Sequence, residues 1–280
     1  MKIKLIAWLF VLTGFSSCAN NPVHVQDKPA EEKLFYTGKT FENVDLSSLG
    51  RKKNESSPRV LEFDQCTFTG TVRFGALEEV YQSLPVTLLF KNCSFEGEVQ
   101  GDMMQFLGEL SFNKCRFKKV FSARNSVFHA PAGFRDCGFD GDVQFQNAVF
   151  LKESTWQASH FYGISFFQSV RFFEKAQFSN AFFHGNADFT LCRFSEGAAF
   201  DFVKSEGNLD LSESRQEGLM TFRKAELLKR TSLNGLRSFG LIRFHYTRFE
   251  DSLTSKGARF FAEKPEIIVP QGRITPTLSY

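Results

Sequence analysis

The sequence has little tyrosine or tryptophan and almost no net charge. It holds 5 Tyr and 2 Trp beside 36 Phe, an imbalance that ordinary domains do not show. Of its 34 Lys and Arg residues, Lys2 and Lys4 lie in the N-terminal segment, which leaves 32 against 31 Asp and Glu. A balanced surface has no field to collect nucleic acid, and no acidic field to imitate it. We therefore predict no nucleic-acid partner.

The short motifs of catalysis and metal binding are also missing. The 5 histidines show no HExxH or other paired ligand spacing, and the chain has no nucleophile elbow or P-loop. Asp140 and Asp142 flank a glycine and are typical of a turn rather than of an acid/base pair. We predict no catalytic residue, no metal, no cofactor and no enzyme activity.

The N-terminus predicts an export signal. Residues 1–18 read MKIKLIAWLFVLTGFSSC, a basic start, an apolar run too short for a comfortable membrane span, and small residues before a cysteine. This segment resembles the lipobox of bacterial lipoproteins, although Phe15 stands where Leu is usual. The resemblance implies a signal peptide at 1–17 and lipidation of Cys18. The alternative is an ordinary signal peptide with an incidental cysteine.

The same resemblance gives a location and a membrane contact through the N-terminal lipid. Ala19, in place of an Asp, implies the outer membrane, with a periplasmic or surface-exposed protein. Residues 19–34 are polar, lack periodicity and contain two prolines, so 18–34 is predicted to be the lipidated cysteine and a flexible tether.

Beyond the tether, large apolar residues recur every eleven positions, and a second series follows the first by five. The residue two positions before each is usually small or β-branched, and residues i−2 and i point to the same side of an extended chain. A helix would scatter the same residues over several faces. The first series is Phe134, Phe145, Trp156, Phe167, Phe178, Phe189, Phe200, Leu211, Phe222, Leu233 and Phe244; the second includes Phe139, Phe150, Phe161, Phe172, Phe183, Phe194, Ser205, Gln216, Leu227, Ser238, Phe249 and Phe260.

Two eleven-residue units are predicted to form one coil, because glycines and cysteines recur at twice that spacing. Gly141, Gly163 and Gly185 are 22 residues apart. Upstream, we allow one five-residue insertion between about Glu79 and Phe90, which places Phe41 one coil before Phe63. Residues 76–84, at this insertion, are expected to form a short helix or a bulged loop. Identical residues on stacked coils then form ladders.

The segments FRDCGFDGDVQFQNAVF (134–150) and FSNAFFHGNADFTLCRFSEGAAF (178–200) resemble the pentapeptide-repeat superfamily, in its Phe-rich variant with alternating five- and six-residue steps. The resemblance covers residues 35–260 and implies a right-handed, quadrilateral parallel β-helix. Roughly ten coils at about 4.8 Å would give a rod about 45–50 Å long. Residues 261–280 break the register and are predicted to form a C-terminal cap. Some members of the superfamily resemble DNA and bind a topoisomerase, but the predicted export and the balanced charge argue against that role.

Five cysteines occupy the small inward position. A ladder spreads them in a row rather than converging them on a metal, and side chains on parallel rungs do not meet at a disulfide dihedral. Buried free thiols are therefore the favoured interpretation, with a bridge or a metal site as the alternative. These residues are Cys66, Cys93, Cys115, Cys137 and Cys192.

Six aromatic or imidazole side chains fall at outward positions in neighbouring coils and form a candidate contact surface for a glycan or an envelope protein. The alternative is packing within a widened corner or under a loop. They are His160, Tyr162, Phe166, Phe173, Phe182 and His184.

The sequence as a whole predicts a lipid-anchored, non-enzymatic scaffold or interaction protein of the bacterial envelope. A rigid ladder displays side chains in columns, and no site chemistry is visible. The alternative is a carbohydrate-binding or carbohydrate-active β-helix protein, or an adhesin, at the cell surface. Polysaccharide lyases on β-helices have irregular coils and long loops around a cleft, which this regular repeat does not predict.

Overall fold

The computed structural model describes residues 32–46, 59–75, 82–271 and 276, and these residues form a parallel β-solenoid. Each winding visits four sheets in turn, named here sheets 1 to 4 in the order in which the chain reaches them. Within these ranges the sheets have eleven, ten, ten and nine strands, in agreement with the roughly ten coils predicted. All strand pairs are parallel, and most partners are 22 residues apart, such as Phe112 and Phe134. The all-β solenoid prediction is confirmed.

The strands are short, since each covers one side of a winding. Sheet 1 contains Glu32–Thr37, Arg59–Asp64, Val86–Lys91, Leu110–Asn113, Ala132–Arg135, Ser154–Thr155, Ala176–Gln177, Gly197–Ala199, Leu219–Thr221, Ile242–His245 and Glu266–Ile268. Sheet 2 contains Thr40–Phe41, Thr67–Phe68, Ser94–Phe95, Arg116–Phe117, Gly138–Phe139, His160–Phe161, Phe182–Phe183, Lys204–Ser205, Glu226–Leu227 and Arg248–Phe249.

Sheets 3 and 4 complete each winding. Sheet 3 contains Val44–Asp45, Val72–Arg73, Val99–Gln100, Phe121–Ser122, Val143–Gln144, Ser165–Phe166, Ala187–Asp188, Leu209–Asp210, Thr231–Ser232 and Leu253–Thr254. Sheet 4 contains Gln82–Leu84, Met104–Phe106, Val127–Phe128, Val149–Phe150, Arg171–Phe172, Arg193–Phe194, Arg215–Gln216, Arg237–Ser238 and Arg259–Phe260.

The core consists of phenylalanine columns that run along the solenoid axis. Rings on successive coils stack nearly parallel; Phe117 and Phe139, for example, lie 4.7 Å apart with an interplanar angle of 3°. Rings of different columns meet edge to face, as Phe167 and Phe178 do at 5.5 Å and 90°. Both geometries are favourable for aromatic pairs, and each fully buried ring contributes on the order of 2–3 kcal/mol. The excess of Phe is therefore a requirement of this core.

Two of the four corners are made by a residue in the left-handed backbone region. These residues follow the sheet 1 and sheet 3 strands and recur every eleven positions over most of the chain, with φ between 52° and 60°. Asn and Asp tolerate this region better than other side chains, but the series also includes Ala, Leu and Phe. It comprises Gln65, Asn92, Met103, Lys114, Asn125, Asp136, Asn147, Ala158, Ser169, Asn180, Leu191, Phe202, Glu213, Lys224 and Tyr246.

The register predicted for the first coil is wrong. Phe41 pairs with Phe68, not with Phe63, and Tyr36 stacks on Phe63 at 5.0 Å and 13°. The sequence analysis predicted one long coil, the one that contains the insertion before Phe90. The pairs in the first coil are also 27 residues apart, so this coil too is longer than 22 residues. Aromatic character at position 36 satisfies the column, so a periodicity of Phe alone does not mark the start of the column.

Both predicted ends of the solenoid need correction. The strand Glu32–Thr37 begins inside the segment 18–34 that was assigned to the tether, because Leu34 and Tyr36 pack against the core. At the other end, Glu266–Ile268 pairs with Ile242–His245 and becomes the last strand of sheet 1. The tail assigned to a cap therefore covers the sheet edge as an additional strand.

The helix or bulged loop predicted for residues 76–84 is wrong in its last part. Gln82–Leu84 is the first strand of sheet 4 and pairs with Met104–Phe106. Gln82 and Leu84 are buried because they occupy the two inward positions of that strand. Residues 76–81 lie outside the described residues.

Candidate interaction surface

The outer face of sheet 2 carries two parallel columns of side chains, one on each side of the buried ring. Successive strands place His160, Phe182 and Lys204 in one column. Tyr162, His184 and Glu206 follow the same strands by one residue and form the other. Because the coils are in register, residues 22 positions apart become direct neighbours.

Four of the six predicted contact residues come together here, and we call His160, Tyr162, Phe182 and His184 the aromatic cluster. The Tyr162 and His184 rings stack at 4.4 Å with an interplanar angle of 10°. The Phe182 and His184 centroids are 3.7 Å apart, and His160 lies 5.5 Å from Phe182. The stacking predicted from the 22-residue spacing is thus present. The residues lie on an outer face and not under a loop, since Tyr162 is 49% exposed.

A charged pair closes the C-terminal side of the cluster. The Lys204 ammonium lies 4.5 Å from the centre of the Phe182 ring, a cation–π contact, and 2.9 Å from a Glu206 carboxylate oxygen. Glu206 also contacts Nδ1 of His184 at 3.2 Å. The hydrogen bond from Lys204, with a smaller contribution from His184, lowers the pKa of Glu206. Inspection of the 22-residue spacing would have added Lys204 and Glu206 to the predicted surface.

The N-terminal side of the cluster is open. Gly138 precedes His160 in its column, and a Cβ added to this glycine would meet only Arg116 Cγ, at 3.9 Å. Arg116 turns aside to Asp140 and makes two hydrogen bonds of 3.0 Å with its carboxylate. The face of His160 that points towards this gap therefore remains accessible, whereas Asp140 precedes Tyr162 in the other column and the inner faces of the stack are covered by neighbouring rings.

The other two predicted surface residues lie elsewhere. Phe166 is in sheet 3, where it pairs with Gln144 and Asp188. Phe173 follows the sheet 4 strand Arg171–Phe172 and is 45% exposed. Their separation from the cluster follows from the repeat, since a step of five or six residues carries the chain to the next sheet. Cys18, the predicted lipidation site, lies outside the described residues.

The five cysteines of the solenoid are buried as free thiols at the small inward position. Four of them lie at the corner between sheets 1 and 2, where a backbone carbonyl turns inward; Cys137 Sγ lies 3.5 Å from the Phe112 oxygen. In the next coil Ser159 donates to the Phe134 oxygen at 2.6 Å. A small side chain with a donor therefore suits this slot. Desolvation raises the pKa of Cys115 and of Cys192, which keeps their thiols protonated.

A polar cavity of about 390 Å³ lies on the outer face of sheet 3 near its N-terminal end. Its lining side chains are already paired with one another. Arg124 Nε donates to Asp102 at 2.8 Å, and Arg73 Nε donates to Gln100 at 3.1 Å. With its charges satisfied internally, this cavity is a weaker candidate than the aromatic cluster.

The described ranges, 32–46, 59–75 and 82–271, lack the features of a metal centre and of a membrane-spanning helix. No group of three or more His, Cys, Asp or Glu side chains in these ranges is arranged to hold a metal ion. No helix there combines the length and the apolar character needed to cross a bilayer.

Part of the solenoid matches a known family of repeats. Residues 90–138 match the model of the pentapeptide repeats (9 copies). The matched pentapeptide repeats include Phe90, Phe112 and Phe134, which form one continuous core column. The same strand pairing continues on both sides of the match, from Glu32 to Ile268. No curated protein and no solved structure gives a significant match to the chain.

Proposed function

We propose that this protein is a non-enzymatic interaction module of the bacterial envelope, held at the outer membrane by a lipid on Cys18. The observation that supports an interaction role is the in-register display of the aromatic cluster on a rigid sheet. The β-ladder fixes each ring, so little side-chain entropy remains to be lost when a partner binds. Aromatic residues that are partly exposed and held rigid are typical of contact centres.

A protein partner fits this geometry better than a flat sugar ring. Within the cluster, the Tyr162 and His184 rings on adjacent coils cover each other's faces, and Nε2 of His184 is buried, so the stack presents mainly ring edges to solvent. The accessible face is that of His160 beside Gly138. A narrow planar group from a partner, such as a guanidinium or an amide, fits this gap between the rings and the Arg116–Asp140 pair.

The contact role is tested by capture of envelope components with the detergent-solubilised full chain. We expect a defined partner to be retained by the wild type and lost from Tyr162→Ala/Phe182→Ala. The control variant, Phe166→Ala/Phe173→Ala, removes two outward rings from other sheets and should retain it. Equal retention by both variants would remove the aromatic cluster from the proposal, and turnover of an envelope polysaccharide would contradict the non-enzymatic assignment.

The lipid anchor is tested separately by metabolic labelling with an alkyne-bearing fatty acid. We expect label on the wild type and none on Cys18→Ala, which should also leave the membrane fraction. Cys192→Ala, which removes a buried thiol, serves as the control and should remain labelled. Unlabelled wild-type protein in the soluble fraction would favour the ordinary signal peptide.

A further inference from the structure

Sheet 4 carries a column of five arginines on successive coils, named here the arginine ladder. Each member pairs in parallel register with the next, at the position just before the inward residue of its strand. All five are exposed, and the column spans roughly 19 Å at the usual strand spacing. The members are Arg171, Arg193, Arg215, Arg237 and Arg259.

Like charges that lie directly opposite one another in a sheet repel. The repetition of arginine over five rungs therefore opposes the stability of the free protein. A neutral side chain at this position is structurally acceptable, since Val127 and Val149 occupy the same column in earlier coils. The core thus does not require the arginines, and the ladder is an exposed feature that needs an anionic counterpart.

One carboxylate of the protein itself shows where an anionic group binds to the ladder. Glu217 lies in the neighbouring outward column and bridges two rungs, with Arg193 Nη2 at 2.9 Å and Arg215 Nε at 2.7 Å from the same oxygen. The arginines lower the pKa of Glu217, so it is a carboxylate at neutral pH. Within the described ranges, Arg171, Arg237 and Arg259 have no acidic partner within ion-pair distance.

The positions that correspond to Glu217 in the last two coils hold phenylalanine. Phe239 and Phe261 stack at 4.5 Å with an interplanar angle of 8°, and they are 39% and 57% exposed. Arg215 lies over the Phe239 ring at 4.3 Å. This end of sheet 4 therefore combines unpaired guanidinium groups with an exposed apolar strip beside them.

Acidic residues at both edges of the sheet restrict the shape of an anionic ligand. Glu213 lies at the corner that enters sheet 4, and Glu174 and Glu196 lie at the corner that leaves it. Glu174 is paired with Lys152 at 2.9 Å, whereas Glu213 and Glu196 flank the central rungs and would repel a flat anionic membrane or the width of a nucleic-acid duplex. They leave a single lane along the ladder, which a narrow linear chain can follow.

We propose that the arginine ladder binds a linear anionic polysaccharide that carries one carboxylate on each sugar. Arginine pairs with carboxylates through two parallel hydrogen bonds, and the apolar C–H face of a sugar packs against Phe239 and Phe261. Successive carboxylates engage successive rungs or alternate rungs. The proposal rests on the proposed interaction role but uses a different sheet from the aromatic cluster.

The test uses polygalacturonate, with its fully methyl-esterified form as the uncharged comparison, and measures binding to the full chain by titration calorimetry. We expect binding of the charged polymer alone. Arg237→Gln/Arg259→Gln should weaken it at least tenfold. The charge-matched control Arg135→Gln/Arg223→Gln, in or beside sheet 1, should stay within twofold of the wild type. Absence of binding, or equal weakening by both variants, would overturn the proposal.

A variant that binds the polymer more tightly than the wild type provides a test that misfolding cannot imitate, because a misfolded protein would only lose affinity. Glu217→Gln releases Arg193 and Arg215 from their internal carboxylate and should tighten polygalacturonate binding about threefold or more. Tyr162→Ala/Phe182→Ala should bind the polymer as the wild type does, and loss here would contradict the assignment to sheet 4. Tighter binding to phosphatidylglycerol vesicles or to duplex DNA than to polygalacturonate would also overturn the proposal. If the polymer does not bind while an aromatic-cluster partner does, the proposed function stands and this inference alone fails.

Discussion

At the scale of single residues, this molecule is governed by the alternation of inward and outward positions, in which residues two apart point to the same side. The inward slot before each ring accepts Ala, Val, Ser or Cys, since each is small enough to leave room for the stacked rings. These residue types differ in two properties. Ser and Cys can donate a hydrogen bond to a corner carbonyl, and Cys can also ionise. Both properties have measurable consequences.

Burial of Cys192 makes stability depend on pH. Desolvation raises the pKa of its thiol above the ordinary 9.0, so its contribution is complete below pH 9 and is lost above it, where only the unfolded chain ionises. Above pH 9 we expect the unfolding free energy of the wild type to fall more steeply than that of Cys192→Ala, by about 1.4 kcal/mol per pH unit. Urea denaturation between pH 7 and 10.5 measures the difference. Parallel curves would show that this thiol is not buried.

Leu191 occupies a left-handed corner at φ 59° and is 60% exposed. Its backbone conformation is therefore unfavourable for a leucine, and its side chain buries little apolar surface in return. Replacement by Asn, which tolerates this region, should raise the unfolding free energy by about 0.5–1 kcal/mol. The control is Ile164→Asn, which removes an exposed apolar residue that does not lie at positive φ and should give no gain. Thermal and urea unfolding compare the two variants. A loss in Leu191→Asn would mean that the corner requires its apolar contacts.

At the scale of the strand and its corner, glycine allows coils to approach closely between sheets 2 and 3. A Cβ on Gly207 would lie 2.3 Å from the Gly185 carbonyl oxygen of the preceding coil. Such a contact forces the two coils apart or tilts the corner. The 22-residue glycine spacing therefore marks a ladder of backbone contacts, while the left-handed corners carry mostly other residues.

We expect Gly207→Ala to lower the unfolding free energy by more than about 2 kcal/mol, because backbone would have to move. Gly133→Ala is the matched control in sheet 1, where the nearest side-chain atoms lie at 3.6 and 3.7 Å. That substitution should be neutral or stabilising by up to about 1 kcal/mol. Equal effects of the two changes, measured by urea denaturation, would contradict the close-approach argument.

At the scale of the whole molecule, the core changes character along its axis. Columns that are phenylalanine in the central coils contain Ser205, Gln216 and Ser238 further on, and all three are buried. Ser238 donates to the Gln216 side chain, whose amide nitrogen donates to the Leu241 oxygen at 3.3 Å. These hydrogen bonds satisfy the polar atoms but provide less apolar burial than stacked rings.

Stability in a solenoid is approximately a sum over coils and their interfaces. We therefore expect amides in residues 204–250 to exchange with deuterium before those in residues 110–200 under native conditions. Hydrogen-exchange mass spectrometry resolves the two segments within one sample. Uniform protection along the rod would show that the coils unfold together and that the polar core does not form a weaker section.

The sequence was sufficient to predict the repeat, the inward columns and the parallel solenoid, because a two-residue alternation inside an eleven-residue period suits only one kind of backbone. It also predicted the contacts within the aromatic cluster, since in-register stacking turns a 22-residue spacing into adjacency. The tertiary structure alone decided the register of the first coil, because Tyr36 satisfies the same column as Phe. It alone showed that Glu217 bridges two rungs of the arginine ladder, because the side-chain conformations, and not the repeat, decide which guanidinium groups a carboxylate reaches.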